Sequence, residues 1–228
     1  AADSLLAIKR LVFDRKEISP ANLKAMLENN FEGYARERNR LLNVPKYGND
    51  LDEADEMYRQ LHRYVCTTTK SMADKVGLHS YLVVNINNSA NTILGRKTAA
   101  SADGRLAFTS MANGNAATPG MDKSGITAYL NSISRPAADI HAGYVQNLKF
   151  MPDVFKLHVD KAKALIASYF KMGGTQLMIN VVNNADLQRA MEHPEEFPNL
   201  IVRVGGFSAR FIDLDRDVQL EILSRTGY

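Results

Sequence analysis

The hydrophobic period of the sequence changes once, near residue 79, and that change restricts the possible architecture more than any other feature. Before it, apolar side chains recur at helical steps of three and four. Ser19-Pro20 is a helix start, a hydroxyl cap followed by proline, and Leu23, Met26, Leu27 and Phe31 share one face of a predicted helix over 21–34. A break dense in turn residues covers 43–50. The pattern over 52–76 predicts the longest helix, closed by Gly77. Beyond residue 79, β-branched and aromatic runs of strand length stand at 80–86, 145–150, 175–182 and 200–204. Helical patterns over 153–172, 185–192 and 215–224 alternate with the later runs. That alternation predicts an α/β architecture with partly parallel strands. A long stretch over 87–142, rich in Gly, Ala, Ser, Asn and Thr, is a length of connection that is functional or holds short elements of its own. With few strands and a helical front, the chain looks incomplete as a free-standing barrel.

Composition closes off several function classes. The 228 residues are 45% hydrophobic and 23% charged, ordinary for a folded protein. The net charge of +3 comes from scattered basic residues, so no stripe is offered to nucleic acid, and none is expected as a partner. No stretch approaches the ~20 apolar residues of a membrane span, and no membrane association is expected. One cysteine, Cys66, excludes an internal disulfide and any multi-cysteine metal site within the sequence, which fits a reducing, cytoplasmic setting. The first residue is Ala1, so the chain is expected to begin after an encoded start or inside a longer protein.

The most informative segment lies near the C-terminus, where Ile201-Val202-Arg203-Val204 meets Gly205-Gly206 and resumes as Phe207-Ser208-Ala209-Arg210-Phe211. Taken alone, the two glycines read as a hairpin or bulge, because glycine adopts positive φ freely.

Arg203-Val204-Gly205-Gly206-Phe207 also resembles the glycyl radical signature of the pyruvate formate-lyase-like family. Five further blocks resemble that family in the same order. They are Pro45-Lys46-Tyr47-Gly48-Asn49-Asp50, Ala102-Asp103-Gly104-Arg105, Gly120-Met121-Asp122-Lys123-Ser124-Gly125, Gln146-Asn147-Leu148-Lys149-Phe150, and the stretch from Ile222 to Thr226. The resemblance implies an α/β fold, the second half of a ten-stranded barrel, with residues 1–78 as a helical part and 79–228 ending in a radical domain from about 195. It implies Gly206 as the radical site, with Arg203, Val204, Gly205, Phe207 and Ser208 as loop support. Phe207 stands where tyrosine is commoner and packs the loop without a hydroxyl.

Glycine suits such chemistry because a Cα radical between an amide nitrogen and a carbonyl is stabilised when the backbone is flat, and a side chain obstructs both flattening and hydrogen removal. Burial of Gly206 is expected, to keep oxygen away, together with freedom to swing out to an activase. The resemblance further implies no bound cofactor, a glycyl radical installed by a radical S-adenosylmethionine activase, a small-molecule substrate and an oligomer. It also implies a larger N-terminal subunit or segment that carries the catalytic cysteine, since Cys66 reads as a helix residue without the family's surroundings. The lean is to an anaerobic dehydratase or eliminase-type lyase. Alternatives are formate acetyltransferase-type C–C cleavage, a non-catalytic glycyl radical spare part, and an interaction module in which Gly206 is only a turn.

Other candidates are weaker. His62, His79, His141, His158 and His193 show no ligand-like spacing, and His141 reads as a surface or loop residue. Gly95-Arg96-Lys97-Thr98 lacks the glycine of a phosphate loop, position 90 being Ala90. Asn85, Asn87, Asn88 and Asn180 lie on or after predicted strands, where they satisfy strand ends or reach substrate.

Overall fold

A computed structural model describes residues 1–79, 81–86 and 88–228. Candidate Asn87 and the first residue of the predicted strand over 80–86 lie outside the described residues.

The first third is helical, as the period requires. Helix α1 (Ala2–Ala7) runs on as a π-helical turn (Ile8–Asp14), followed by α2 (Pro20–Glu28), α3 (Ala35–Leu42) and the long α4 (Asp52–Lys75). Ser19 caps α2 by accepting from the Asn22 amide at 3.1 Å. Helix α2 ends six residues before the predicted limit because Asn30 and Phe31 take positive φ, 49° and 63°, in a turn that still delivers Phe31 to the core. Acidic Asp52, Glu53 and Asp55 occupy the first turn of α4, where the helix dipole favours them. Leu6, Leu11, Leu23, Met26 and Leu41 form the core of this part, and Ala102 packs into it from further along the chain.

Among its described residues the long Gly/Ala/Asn stretch holds two α-helices, α5 (Ala90–Gly95) and α6 (Gly125–Ser134), and a 3-10 turn (Ala138–Ile140). Among the described residues of the strand predicted over 80–86, the run 81–86 lies beside 142–145 with a single parallel bridge, Asn85 to Tyr144, and Gly143 takes φ 127° there. Strand β1 (Asn147–Phe150) pairs in parallel with β2 (Met178–Val181), in a register that sets Lys149 beside Asn180. The predicted helix between them is two, α7 (Pro152–Leu157) and α8 (Val159–Lys171), separated where His158 leaves helical geometry at φ −136°, ψ 33°. Its oxygen then accepts the Ala162 amide and starts α8.

Helix α9 (Asn184–Glu192) leads to β3 (Ile201–Arg203), β4 (Ser208–Arg210) and α10 (Arg216–Ser224). Strands β3 and β4 pair antiparallel as a hairpin, Val202 opposite Ala209. The chain end joins β1 on its free side: the Tyr228 amide donates to the Lys149 oxygen at 2.9 Å, and the Met151 amide to the Tyr228 oxygen at 2.7 Å. Among the described residues the result is therefore mainly helical, with one parallel pair and one hairpin rather than a run of barrel strands. Tyr129, Leu130, Ile133, Leu148 and Tyr169 pack round β1; Leu187, Val202, Val204, Phe211 and Ile222 pack under the hairpin.

Candidate functional site

The two glycines form the tip of the hairpin. Arg203 ends β3, Ser208 begins β4, and the Val204 amide donates to the Phe207 oxygen at 2.9 Å, which closes the turn over 204–207. Val204 is buried in the core beneath, while Phe207 and Ser208 face outward. The Arg203 side chain reaches across the strands to Ser208 Oγ at 3.2 Å.

Gly205 and Gly206 differ. Gly205 is buried against the backbone of Asn88, so a Cβ there would lie 2.6 Å from the Asn88 oxygen. Gly206 takes φ 112°, which L side chains rarely adopt, and a Cβ there would meet only Asn88 Oδ1, at 3.2 Å. Its amide donates to Met178 Sδ at 3.1 Å. The expectation that Gly206 is buried is not met within this chain: the residue is exposed, because the turn projects beyond the strands that carry it.

Four residues that sequence reading gave no loop role hold this hairpin: Asn180, Arg225, Met178 and Asn88. Asn180 on β2 is bonded to both backbone groups of Arg203: its Oδ1 accepts the amide at 2.6 Å, and its Nδ2 donates to the oxygen at 2.9 Å. Arg225, just past α10, donates from Nη1 to the Arg203 oxygen at 3.1 Å and from Nη2 to the Val204 oxygen at 2.7 Å. Arg225 lies in the Ile222–Thr226 block, the one signal that pointed to it; nothing in the sequence marks Met178. Asn88, at φ 46°, supplies the surface on which Gly205 rests.

Beside the hairpin, Lys149 Nζ is buried and donates to Asn184 Oδ1 (2.9 Å) and to the oxygens of Ile222 (3.2 Å) and Leu223 (2.9 Å) at the end of α10. Burial, with the Arg225 charge nearby, pushes its amine down to about 8. Asp122 accepts from Thr226 Oγ1 at 2.6 Å and from the Tyr228 hydroxyl at 2.5 Å.

The other candidates fall elsewhere. His141 is buried rather than superficial, its Nδ1 accepting the Gly143 amide at 2.8 Å. Its ring meets that of His62 edge-on at 5.1 Å, and burial holds both imidazoles below their ordinary range. Cys66 is buried on α4, its Sγ 3.6 Å from His62 Nε2, and burial raises the thiol. Asn85 donates to the Tyr58 hydroxyl at 3.2 Å. Arg96 is ion-paired with Asp217. His79, His158 and His193 lie exposed, outside the hairpin's contacts.

Two family models match the chain in order: the pyruvate formate lyase-like model over residues 1–92 and the glycine radical model over 111–212, the second taking in the whole hairpin. The chain belongs to the pyruvate formate lyase-like glycyl radical enzymes, as a C-terminal portion. Isethionate sulfite-lyase of Bilophila wadsworthia is 32% identical over 238 residues, which cover 99% of this chain and 28% of that protein. Trans-4-hydroxy-L-proline dehydratase of Clostridioides difficile is 34% identical over 98% of this chain and 29% of its own length. The glycerol-bound, B12-independent glycerol dehydratase of Clostridium butyricum superposes on this glycyl radical portion with a TM-score of 0.94 at 36% identity, covering 100% of the chain and 29% of that structure. The chain thus spans less than a third of the length of these relatives. No helix among its described residues is long and apolar enough to cross a membrane.

Proposed function

We propose that Gly206 stores an organic radical and that this chain is the radical-bearing part of an anaerobic lyase of the dehydratase or eliminase kind. The observation that carries the reading is the hairpin tip. A glycine at φ 112°, beside a second glycine, lies within the segment matched by the glycine radical model.

A radical S-adenosylmethionine activase takes one hydrogen atom from the Gly206 Cα. The radical that remains is shared between the flanking amide nitrogen and carbonyl. It then takes a hydrogen atom from a cysteine thiol on the larger N-terminal subunit or segment, which restores the glycine and leaves a thiyl radical to start work on a small-molecule substrate. Cys66 is not assigned that role: it sits on α4 beside His62, outside the hairpin's contacts, and lacks the family's Gly-Cys surroundings. Arg203, Val204, Gly205, Phe207 and Ser208 shape the loop without chemistry of their own. The same larger segment completes the ten-stranded barrel and covers the exposed tip, and residues from about 195 form the radical domain. The oxygen sensitivity of such a radical sets the enzyme in an anaerobic cytoplasm.

The dehydratase lean rests on the relatives, which include two dehydratases and a sulfite-lyase. The spare-part alternative is disfavoured because the match extends through residues 1–92, far upstream of the loop. Anaerobic electron paramagnetic resonance of the activated enzyme tests the reading. The expected result is a doublet from the single α-hydrogen left on Gly206, lost in Gly206→Ala. A doublet that survives that substitution moves the radical elsewhere.

A further inference from the structure

Among the described residues, the stem of the Gly206 hairpin is held by strong bonds and the Gly206 amide by one weak bond. Asn180 pins Arg203 from β2, and Arg225 takes the oxygens of Arg203 and Val204 from the far side. Bonds from an ionised donor are about twice as strong as neutral ones. At the tip, the acceptor for the Gly206 amide is the thioether of Met178, a weak acceptor.

Arg225 is itself fixed. Its guanidinium is gripped by Glu221, Nε to Oε1 at 3.1 Å and Nη2 to Oε2 at 2.8 Å, and both side chains are almost fully buried. The backbone on one side is tied through Lys149 to the last carbonyls of α10, and on the other through Thr226 and Tyr228 to Asp122.

We propose that Arg225 is the positioning residue that sets how often the turn over 204–207 leaves the body of the protein. The argument lies in what each partner keeps on release. When the turn lifts away, the Val204 carbonyl meets water, while Arg203 stays pinned by Asn180 and Arg225 retains Glu221. No buried charge is stranded, so the closed form can be favoured strongly and still open. A buried ion pair that lost its partner on opening would bar the movement, because an uncompensated buried charge is very costly. The purpose of the clasp, to ration access of an activase to the Gly206 hydrogen, rests on the function proposed above; the clasp itself does not.

Hydrogen–deuterium exchange with mass spectrometry, on the unactivated enzyme that contains this chain, tests it. Arg225→Met combined with Glu221→Gln removes the clasp without leaving a lone buried carboxylate. Exchange over 204–207 should quicken by about tenfold or more, the factor expected from losing one bond to a charged group. Exchange over 147–150 and 178–181 should stay unchanged. After activation the double variant should gain its doublet faster and lose it faster in air, with Arg225→Lys in between. Unchanged exchange over 204–207, or equal acceleration throughout, overturns the proposal and leaves Arg225 a general stabiliser. A doublet surviving in Gly206→Ala would instead remove the proposed function and leave the exchange result standing.

Discussion

Gly205, not Gly206, is the position where an added methyl group meets the harder obstacle. A Cβ on Gly205 would sit 2.6 Å from the Asn88 oxygen, 3.0 Å from its Cα and 3.1 Å from its carbonyl carbon, all backbone atoms that cannot rotate aside. Reaching ordinary contact at 3.4 Å requires a shift of about 0.8 Å at the oxygen, the difference between 3.4 and 2.6 Å. A movement of that size pulls the Gly206 amide off Met178 Sδ, now 3.1 Å away. Overpacking of this kind costs about 1–3 kcal/mol. Gly206→Ala meets a different penalty, the positive φ of 112°, also worth about 1–3 kcal/mol, with only a movable side-chain oxygen near its Cβ. The two variants therefore separate packing from chemistry. Gly205→Ala should accelerate amide exchange over 204–207 by about fivefold to a hundredfold and still give a doublet after activation, since the Gly206 hydrogen is intact. Gly206→Ala should give no such doublet. Wild-type exchange in Gly205→Ala would refute the close approach to Asn88 on which the reasoning rests.

Three further outcomes follow from the polar contacts around the hairpin. The Lys149 amine is held down to about 8 in the folded protein, against an ordinary 10.5 for a lysine, so the unfolded chain binds more protons between those pH values. Stability should then be lost as pH falls through about 8 and rise by ~1–2 kcal/mol from pH 8 to 9.5, a slope that Lys149→Met abolishes in urea titrations. Asn49 accepts the amides of Lys123 (2.7 Å) and Ser124 (3.0 Å) and donates to the oxygens of Met121 (2.8 Å) and Lys46 (3.1 Å). Asn49→Ala should destabilise by about 2–4 kcal/mol, read as a lower urea midpoint with an unchanged slope. Asp122→Ala frees Thr226 and Tyr228 together, and limited proteolysis should then trim the last residues at a protease level that leaves the parent intact.

The helical third was legible because its elements declare themselves locally. The Ser19-Pro20 cap, the apolar face of α2 and the period of α4 each depend on residues within a few turns; α4 was read to within a residue at each end, whereas α2 stops six residues short of its predicted limit. The hairpin was legible as a turn for the same reason, since two glycines between β-rich runs leave little else. Less was readable where the partner is distant. The run over 81–86 has strand composition, yet its state is set by Tyr144 and Gly143, some sixty residues on. Asn180 was a strand residue with two readings, and only the fold brings Arg203 against it. His141 read as superficial because its neighbours are small and polar; its burial comes from α4, through the ring of His62. The helices inside 87–142 were hidden by a composition that favours turns.

Five of the six sequence blocks that carry the family resemblance prove to be links in one polar chain, the Ala102–Arg105 block standing outside it. The turn at Asn49 binds the loop that holds Asp122, Asp122 binds Thr226 and Tyr228, and Tyr228 binds the backbone of Lys149. Arg225, between Ser224 and Thr226, then binds the glycine hairpin. At the Asn49 and Arg225 links a side chain grips a backbone group, which fixes a loop's position without asking for a particular side chain in return. Apolar packing alone is non-directional and would leave the hairpin free to slide over Val204 and Ile222. Directional bonds at its stem restrict movement to the turn beyond them. A glycine tip that must be still when closed and detachable when open needs that division, firm at Arg203 and weak at Gly206, and the contacts of Asn180, Arg225 and Met178 supply it.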